Sequence, residues 1–185
     1  MSISINGNGI TSANIADGAI TNADIADDAI TDAKLASGGG KVLQVVQGTT
    51  STDTALSTTA YVDTGLSASI TPTSTSSKIL VLINQAVRVT TASAADKGMG
   101  IQIVRDATIV YTPASDAGGN TVVYAYASSG SVDTRYILPI TYLDSPTTTS
   151  AITYKTQAGL YQTTGSARVQ SGGHASHITL MEIGV

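Results

Sequence analysis

The feature that most constrains this chain is a row of aliphatic residues, spaced five apart, near its N-terminus. The row consists of Ile10, Ile15, Ile20, Ile25, Ile30 and Leu35. Steps of five scatter side chains around an α-helix and alternate them between the two faces of a strand. The spacing therefore predicts neither regular element but a repeat that turns within each unit, which has to be interpreted before the rest of the chain.

A ten-residue period is superimposed on the five-residue one. Thr11, Thr21 and Thr31 each follow every second isoleucine of the row. Thr21 and Asp24 have the spacing of a helix capping box, with Asp in place of Glu. Each ten-residue unit is thus predicted to contain an extended piece that ends at the threonine, followed by one helical turn.

The aliphatic row needs partners from other chains. Burying its six side chains could yield on the order of 10–15 kcal/mol, and ordering the backbone of the repeat costs at least as much. A solenoid needs about three or more coils to be stable alone, and the repeat is too short for that. We therefore predict a homotrimer with the row as the core of its arm. The alternative, a disordered Ala/Asp linker, is disfavoured by the regular spacing.

Composition and charge exclude several classes of function. The chain has 185 residues, of which 12% are charged, about half the usual fraction. The net charge of −4 resides in residues 1–37, and no basic cluster is present, which disfavours nucleic-acid binding. The chain has no cysteine, so disulfides and thiol chemistry are excluded. No apolar run is long enough to insert into a membrane, and the first residues lack the pattern of a signal peptide.

The period changes to two after a glycine joint, residues 38–40, and about ten short strands follow. This pattern predicts an all-β fold, an antiparallel β-sandwich or jelly roll, over residues 41–185. The sequence is thus divided into an attachment arm (residues 1–37), the joint and a β head.

Three local signals refine the predicted strands. Thr64-Gly65 predicts a break between two strands, and Asp106-Ala107 predicts a tight hairpin. Pro139 lies within a long strand and predicts an edge position or a bulge.

The sequence predicts that the protein is not an enzyme and binds no cofactor. Most carboxylates of the β head lie beside turn residues, where Asp caps the backbone, and no nucleophile elbow is present. His174 and His177 form a weak metal-binding pattern because no third ligand accompanies them. The aspartates of the arm lack the spacing of a calcium loop.

The eight tyrosines replace the missing Phe and Trp as aromatic packing residues. Exposed tyrosines also bind sugars by stacking. Tyr111 and Tyr161, next to turn segments, are the candidates for a surface ligand site. The small, polar loops 90–98 and 113–120 have the composition of a distal tip.

Two features of the sequence resemble a known family. The repeat ADGAITNADIADDAITDAKLA (16–36) resembles the arms of tailed-bacteriophage fibre proteins. The segments AYVDTGLSASITPTSTSSKILVLINQAV (60–87) and HITLMEIGV (177–185) resemble the C-terminal heads of such fibres. Those heads are similar to the trimeric jelly roll of the tumour-necrosis-factor and complement-head superfamily.

The resemblance implies a structural virion appendage, assembled in the host cytoplasm, that is a short tail fibre or a head fibre. Residues 1–37 would attach to a tail, portal-region or capsid protein, and the head would project. A second hypothesis is that the head is a binding module for a host-surface glycan or protein. Two alternatives remain open: a capsid decoration protein without a receptor role, and a secreted trimeric lectin-like adhesin. The motifs are structural, so the resemblance transfers no catalytic residues.

Overall fold

The chain divides into two compact units, residues 1–39 and residues 40–185. A computed structural model describes residues 19, 21, 24–26, 41–91, 95–112, 123–161 and 166–184.

The described part of the first unit contains one closed turn. The carboxylate of Asp24 accepts hydrogen bonds from the amide and the hydroxyl of Thr21, at 2.9 and 2.7 Å. The amide of Asp24 donates to the carbonyl of Thr21 at 3.0 Å. One of the two side-chain bonds of a capping box is thus formed, and a backbone bond takes the place of the other. The hydrogen bond from the Thr21 hydroxyl lowers the pKa of Asp24.

The second unit is an antiparallel β-sandwich, which confirms the predicted all-β fold. Within the described ranges it has no α-helix, and Ser171–Gly173 form a 3-10 turn. None of the described residues form a helix that could cross a membrane. The strands are β1 (Val42–Thr50), β2 (Thr54–Leu56), β3 (Val62–Ile70), β4 (Lys78–Thr91), β5 (Ala95–Arg105), β6 (Thr108–Tyr111), β7 (Val123–Ala127), β8 (Val132–Asp144), β9 (Ile152–Leu160), β10 (Ser166–Val169) and β11 (Ser176–Ile183).

Strand β4 is the centre of the first sheet, which we call sheet A. Along one edge β4 pairs first with β11 and then with β10, and along the other edge it pairs with β8 over almost its whole length. Strand β1 extends the sheet beyond β11, and β2 extends it beyond β10. Among the described residues β8 pairs only with β4, so it is an edge strand, and Pro139 lies in it as predicted.

Strand β5 has the same role in the second sheet, sheet B. It pairs with β9 on one edge and with β7 and β6 on the other, and β3 completes the sheet beyond β9. The predicted hairpin at Asp106-Ala107 is confirmed, because Arg105 and Thr108 are paired partners across it. Asp106 has a φ of 53°, a conformation that Asp tolerates in tight turns.

The core lies between the sheets, because apolar residues occur at every second position along the strands. In β4 the odd-numbered residues point inward and are buried, and the even-numbered ones point outward. The aliphatic side chains of Ile79, Val81 and Ile83 pack there against Leu66 and Tyr154 of sheet B. The residues of β4 that face sheet B are thus apolar, and they alternate with residues that face away from it.

One predicted boundary is wrong. Thr64-Gly65 do not separate two strands, because β3 runs through them with an irregular register between Asp63 and Ser67. Gly65 has a φ of 83°, so glycine accommodates this bulge without a break in the strand. Residues 57–61 connect β2, which ends at Leu56, to β3, which begins at Val62.

Much of the predicted loop 90–98 belongs to strands. Strand β4 continues to Thr91, and β5 begins at Ala95. Small polar residues alone therefore did not indicate a tip loop at this position. The second predicted tip loop, residues 113–120, lies outside the described residues.

The two sheets approach closely at Gly48. A Cβ atom at this position would overlap the carbonyl oxygen of Ser67 in β3. Only glycine therefore lets β1 lie directly against β3.

A buried polar network also joins the sheets. The Thr156 hydroxyl donates to Oε1 of Gln85 at 2.9 Å, and Nε2 of Gln85 donates to the Ser176 hydroxyl at 3.0 Å. The hydroxyls of Thr64 and Thr156 lie 2.5 Å apart. All four side chains are fully buried, so the network is satisfied internally and fixes the register between the sheets.

Candidate functional site

The outward face of sheet A has two unlike halves. One half is apolar. It contains paired residues from four adjacent strands: Val45 in β1, Met181 in β11, Leu80 in β4 and Leu143 in β8. Val45 is 56% exposed and Leu143 is 51% exposed. A contiguous apolar surface of this kind on a single chain indicates an interaction surface.

The other half carries a row of three arginines. Arg168 of β10 is paired directly with Arg88 of β4, and Arg88 is paired directly with Arg135 of β8. Paired residues of antiparallel strands project to the same face. The row therefore brings together three of the four arginines of the chain.

Two aspartates partly neutralise the arginine row. Asp133 accepts hydrogen bonds from Nε and Nη2 of Arg88, at 2.8 and 2.9 Å, and lies 3.5 Å from Nη2 of Arg135. Asp53 accepts a hydrogen bond from Nε of Arg168 at 2.8 Å. These guanidinium groups hold the pKa of both carboxyls below its usual range, and the Asp133 carboxylate raises the pKa of Arg88. The cluster therefore stays fully charged at neutral pH and keeps one excess positive charge.

A pocket of about 200 Å³ adjoins this row. Its lining includes Arg88 and Arg135, the partly exposed Tyr136 and Ile137, and Ser171 and His174 from the segment after β10. A second cavity, at the margin between β7 and β8, shares Tyr136 and Ile137 with the first. The first pocket thus combines cationic donors with apolar walls, as small-molecule sites usually do.

The 3-10 turn places His174 at this pocket. Nδ1 of His174 lies 2.7 Å from the carbonyl oxygen of Ser171. Because a carbonyl only accepts, Nδ1 carries a proton in this contact, which leaves Nε2 for other partners. The amide of Gly172 donates to the second oxygen of Asp53 at 3.4 Å, so Asp53 connects the turn to the arginine row.

The two histidines have separate positions, His174 after the 3-10 turn and His177 in sheet A. His177 is exposed in β11, where it is paired with Asn84 of β4 and Thr49 of β1. His174 lines the pocket, and His177 does not belong to that lining. No group of three potential ligands that could hold a metal ion occurs among the described residues.

The structure does not bring the two predicted tyrosines together in a pocket. Tyr111 is half-buried and packs on Tyr142 with ring centroids 5.9 Å apart, next to the core. Tyr161 meets Tyr124 edge-on at 6.3 Å. Neither tyrosine lines the two cavities described above. Tyr136, which the sequence analysis assigned to packing, lines both.

One residue of the aliphatic row lies among the described residues. Ile25 is 40% exposed in the single chain. Ile10, Ile15, Ile20, Ile30 and Leu35 lie outside the described residues, and their role as the core of a trimeric arm stays a prediction.

Two carboxylates inside the sandwich have structural roles. Burial alone would raise the pKa of Glu182, but hydrogen bonds from Gln44 and Thr73, at 2.6 and 2.7 Å, lower it to about 2. Asp144 accepts from Arg105 at 2.5 Å and from the buried Tyr154 hydroxyl at 2.7 Å. Burial, reinforced by Asp144, raises the pKa of Tyr154. The carboxylates of Glu182 and Asp144 thus hold strand ends together.

Sequence reasoning did not identify the arginine row. Its members are far apart in the chain and belong to three different strands, so only their register brings them together. The available signal was parity, because Arg88 stands between the inward residues Val87 and Val89, and Arg168 stands between Ala167 and Val169.

Comparisons with known proteins give similarity in solved structures alone. No protein-family model and no curated protein matches the chain. The structure of the infectious bursal disease virus Gx strain matches with 15% identity and a TM-score of 0.34, over 77% of this chain and 37% of that chain. The VP2 subviral particle of the same virus matches with 12% identity and a TM-score of 0.29, over 78% of this chain and 39% of that chain. The chain therefore spans less than two-fifths of the chains that it matches.

Proposed function

We propose that this protein is a non-enzymatic structural component of a virion. In this proposal it is a homotrimeric fibre that attaches to the particle through residues 1–37 and projects its β-sandwich. The resemblance of the repeat and of segments 60–87 and 177–185 to phage fibres supports this role.

The observation that carries the proposal is the apolar half of the outward face of sheet A. A single chain exposes Val45 and Leu143 to water there, in one row with Met181 and Leu80. Copies of the chain that cover this row would remove that apolar surface from water. The aliphatic row of the arm has the same need for partners from other copies.

Two measurements test the proposal. Light scattering of the full chain at micromolar concentration should give about three times the chain mass of 18.7 kDa. Antibody labelling of assembled particles in the electron microscope should place the protein on the particle surface. A monomeric mass would contradict the trimer, and unlabelled intact particles would contradict the virion role.

A second function, recognition of a host-surface glycan, is favoured by the pocket beside the arginine row. The pocket is lined by both polar and apolar residues, which suits a sugar ring with its hydroxyls and its apolar face. The capsid-decoration alternative would lack this recognition.

A further inference from the structure

Three positive charges in direct register are unfavourable for the sheet itself. Like charges directly opposite each other on neighbouring strands destabilise the pairing. The arginine row contains two such oppositions, Arg168 with Arg88 and Arg88 with Arg135. Two carboxylates, Asp53 and Asp133, face three guanidinium groups, which leaves one positive charge for an external anion.

The row also has unused hydrogen-bond donors. Each guanidinium carries five N–H donors. Within the described part of the chain, Arg168 uses Nε for Asp53, and Arg135 makes only a 3.5 Å contact with Asp133. Arg135 has a side-chain exposure of 53%, so its fork is open to a planar, bidentate acceptor such as a carboxylate.

The adjoining pocket restricts what carries this carboxylate. Its volume of about 200 Å³ suits one sugar residue and not an extended polymer. Ile137, which is 55% exposed and paired with Ala86 on the outward face, offers apolar surface to a sugar ring. Nε2 of His174 can form a hydrogen bond with a sugar hydroxyl, because the Ser171 carbonyl engages only Nδ1.

We propose that the arginine row and the adjoining pocket bind one carboxylate-bearing sugar residue of a surface glycan. Arg135 and Arg88 hold the carboxylate, and the ring lies against Ile137, which projects to the same face of β8 as Arg135. A carboxylate carries one negative charge and matches the single excess positive charge, whereas a phosphate monoester carries about −1.5 to −2 at neutral pH. This inference rests on the glycan-recognition function proposed above and names its ligand class.

The test is a titration of the full chain, followed by NMR, with glucuronic acid as the acidic sugar and glucose as its neutral counterpart. Glucuronic acid should shift the resonances of Arg88, Arg135 and His174, and glucose should not. Arg135→Gln should weaken binding about ten-fold or more, which corresponds to ~1.4 kcal/mol. Arg135→Lys should bind with intermediate strength, because it keeps the charge and loses the fork.

Lys155→Gln is the matched control. It removes a cation from the exposed ion pair with Asp63 on sheet B and should bind glucuronic acid like the wild type. Thermal unfolding of each variant verifies that it is folded.

Four outcomes would overturn the inference: no binding of glucuronic acid to the wild type, equal binding of glucose, tighter binding of inorganic phosphate, or unchanged affinity in Arg135→Gln. Light scattering of the same variant separates this inference from the structural role. A trimer that does not bind the acidic sugar contradicts the site alone, whereas a monomeric wild type contradicts the trimeric assembly.

Discussion

The two faces of strand β4 have different tasks. Its inward residues, such as Ile79 and Ile83, are buried among apolar side chains, and its single inward amide, Gln85, is hydrogen-bonded through both its nitrogen and its oxygen. Its outward residues change along the strand from Leu80 at one end to Arg88 at the other. The inward face of β4 thus stabilises the fold, and its outward face contributes to the two surfaces that we propose contact other molecules.

The largest expected difference between the faces concerns buried volume. Ile83→Ala should lower the free energy of unfolding by about 2–5 kcal/mol, because it leaves a cavity in the core. The neighbouring outward substitution Asn84→Ala should change it by no more than about 0.5 kcal/mol. Urea unfolding of both variants measures the contrast, and equal losses would show that the two faces are not distinct.

The buried polar network should be almost as sensitive. Gln85→Ala removes the partner of Thr156 and of Ser176 and leaves their buried hydroxyls with fewer hydrogen bonds, at a cost of about 1–3 kcal/mol each. Thr49→Ala, on the outward face of β1, is the control, because its hydroxyl donates to the Ser176 carbonyl in a part-buried position. A Gln85→Ala protein as stable as Thr49→Ala would contradict a network that connects the sheets.

The pH dependence of stability tests the buried face of β11 in the same way. The pKa of Glu182 is about 2 in the folded protein, against an ordinary value of 4.5. The unfolded chain therefore takes up the proton first, and Glu182 contributes stability above pH 4.5 that is lost as the pH falls towards 2. In Glu182→Gln the decline of stability over this interval should be shallower. An unchanged decline would show that other carboxyls account for it.

The smallest effect on stability is expected in the arginine row. Arg135→Gln removes an exposed, long ion pair with Asp133 and should change the free energy of unfolding by about 0.5 kcal/mol or less. Arg105→Gln should cost more, because it removes the cation beside the buried carboxylate of Asp144. Chemical unfolding compares the two, and a large loss in Arg135→Gln would assign the row to folding instead of binding.

The sequence predicted the fold better than it predicted the site. Alternation, the Asp106-Ala107 hairpin and the edge proline at 139 are local signals, and each agrees with the structure. The break at Thr64-Gly65 was wrong because a strand can absorb a positive φ at glycine as a bulge. Local composition cannot distinguish a bulge from a turn.

The arginine row illustrates why the site was missed. Arg88, Arg135 and Arg168 become neighbours only through the register of β10, β4 and β8. Register depends on long-range pairing, which the sequence of a single strand does not specify.

The central claim is that other copies of the chain cover the apolar half of the outward face of sheet A. The chain has no cysteine, so a single introduced thiol reports on one position. Leu143→Cys places the thiol in the apolar half, and Ser67→Cys places it on the exposed face of β3 in sheet B. At micromolar concentration the thiol at 143 should react with a water-soluble thiol reagent much more slowly than the thiol at 67, and the difference should vanish in denaturant. Equal rates in the native protein would contradict the claim, because the apolar half would then be open to water.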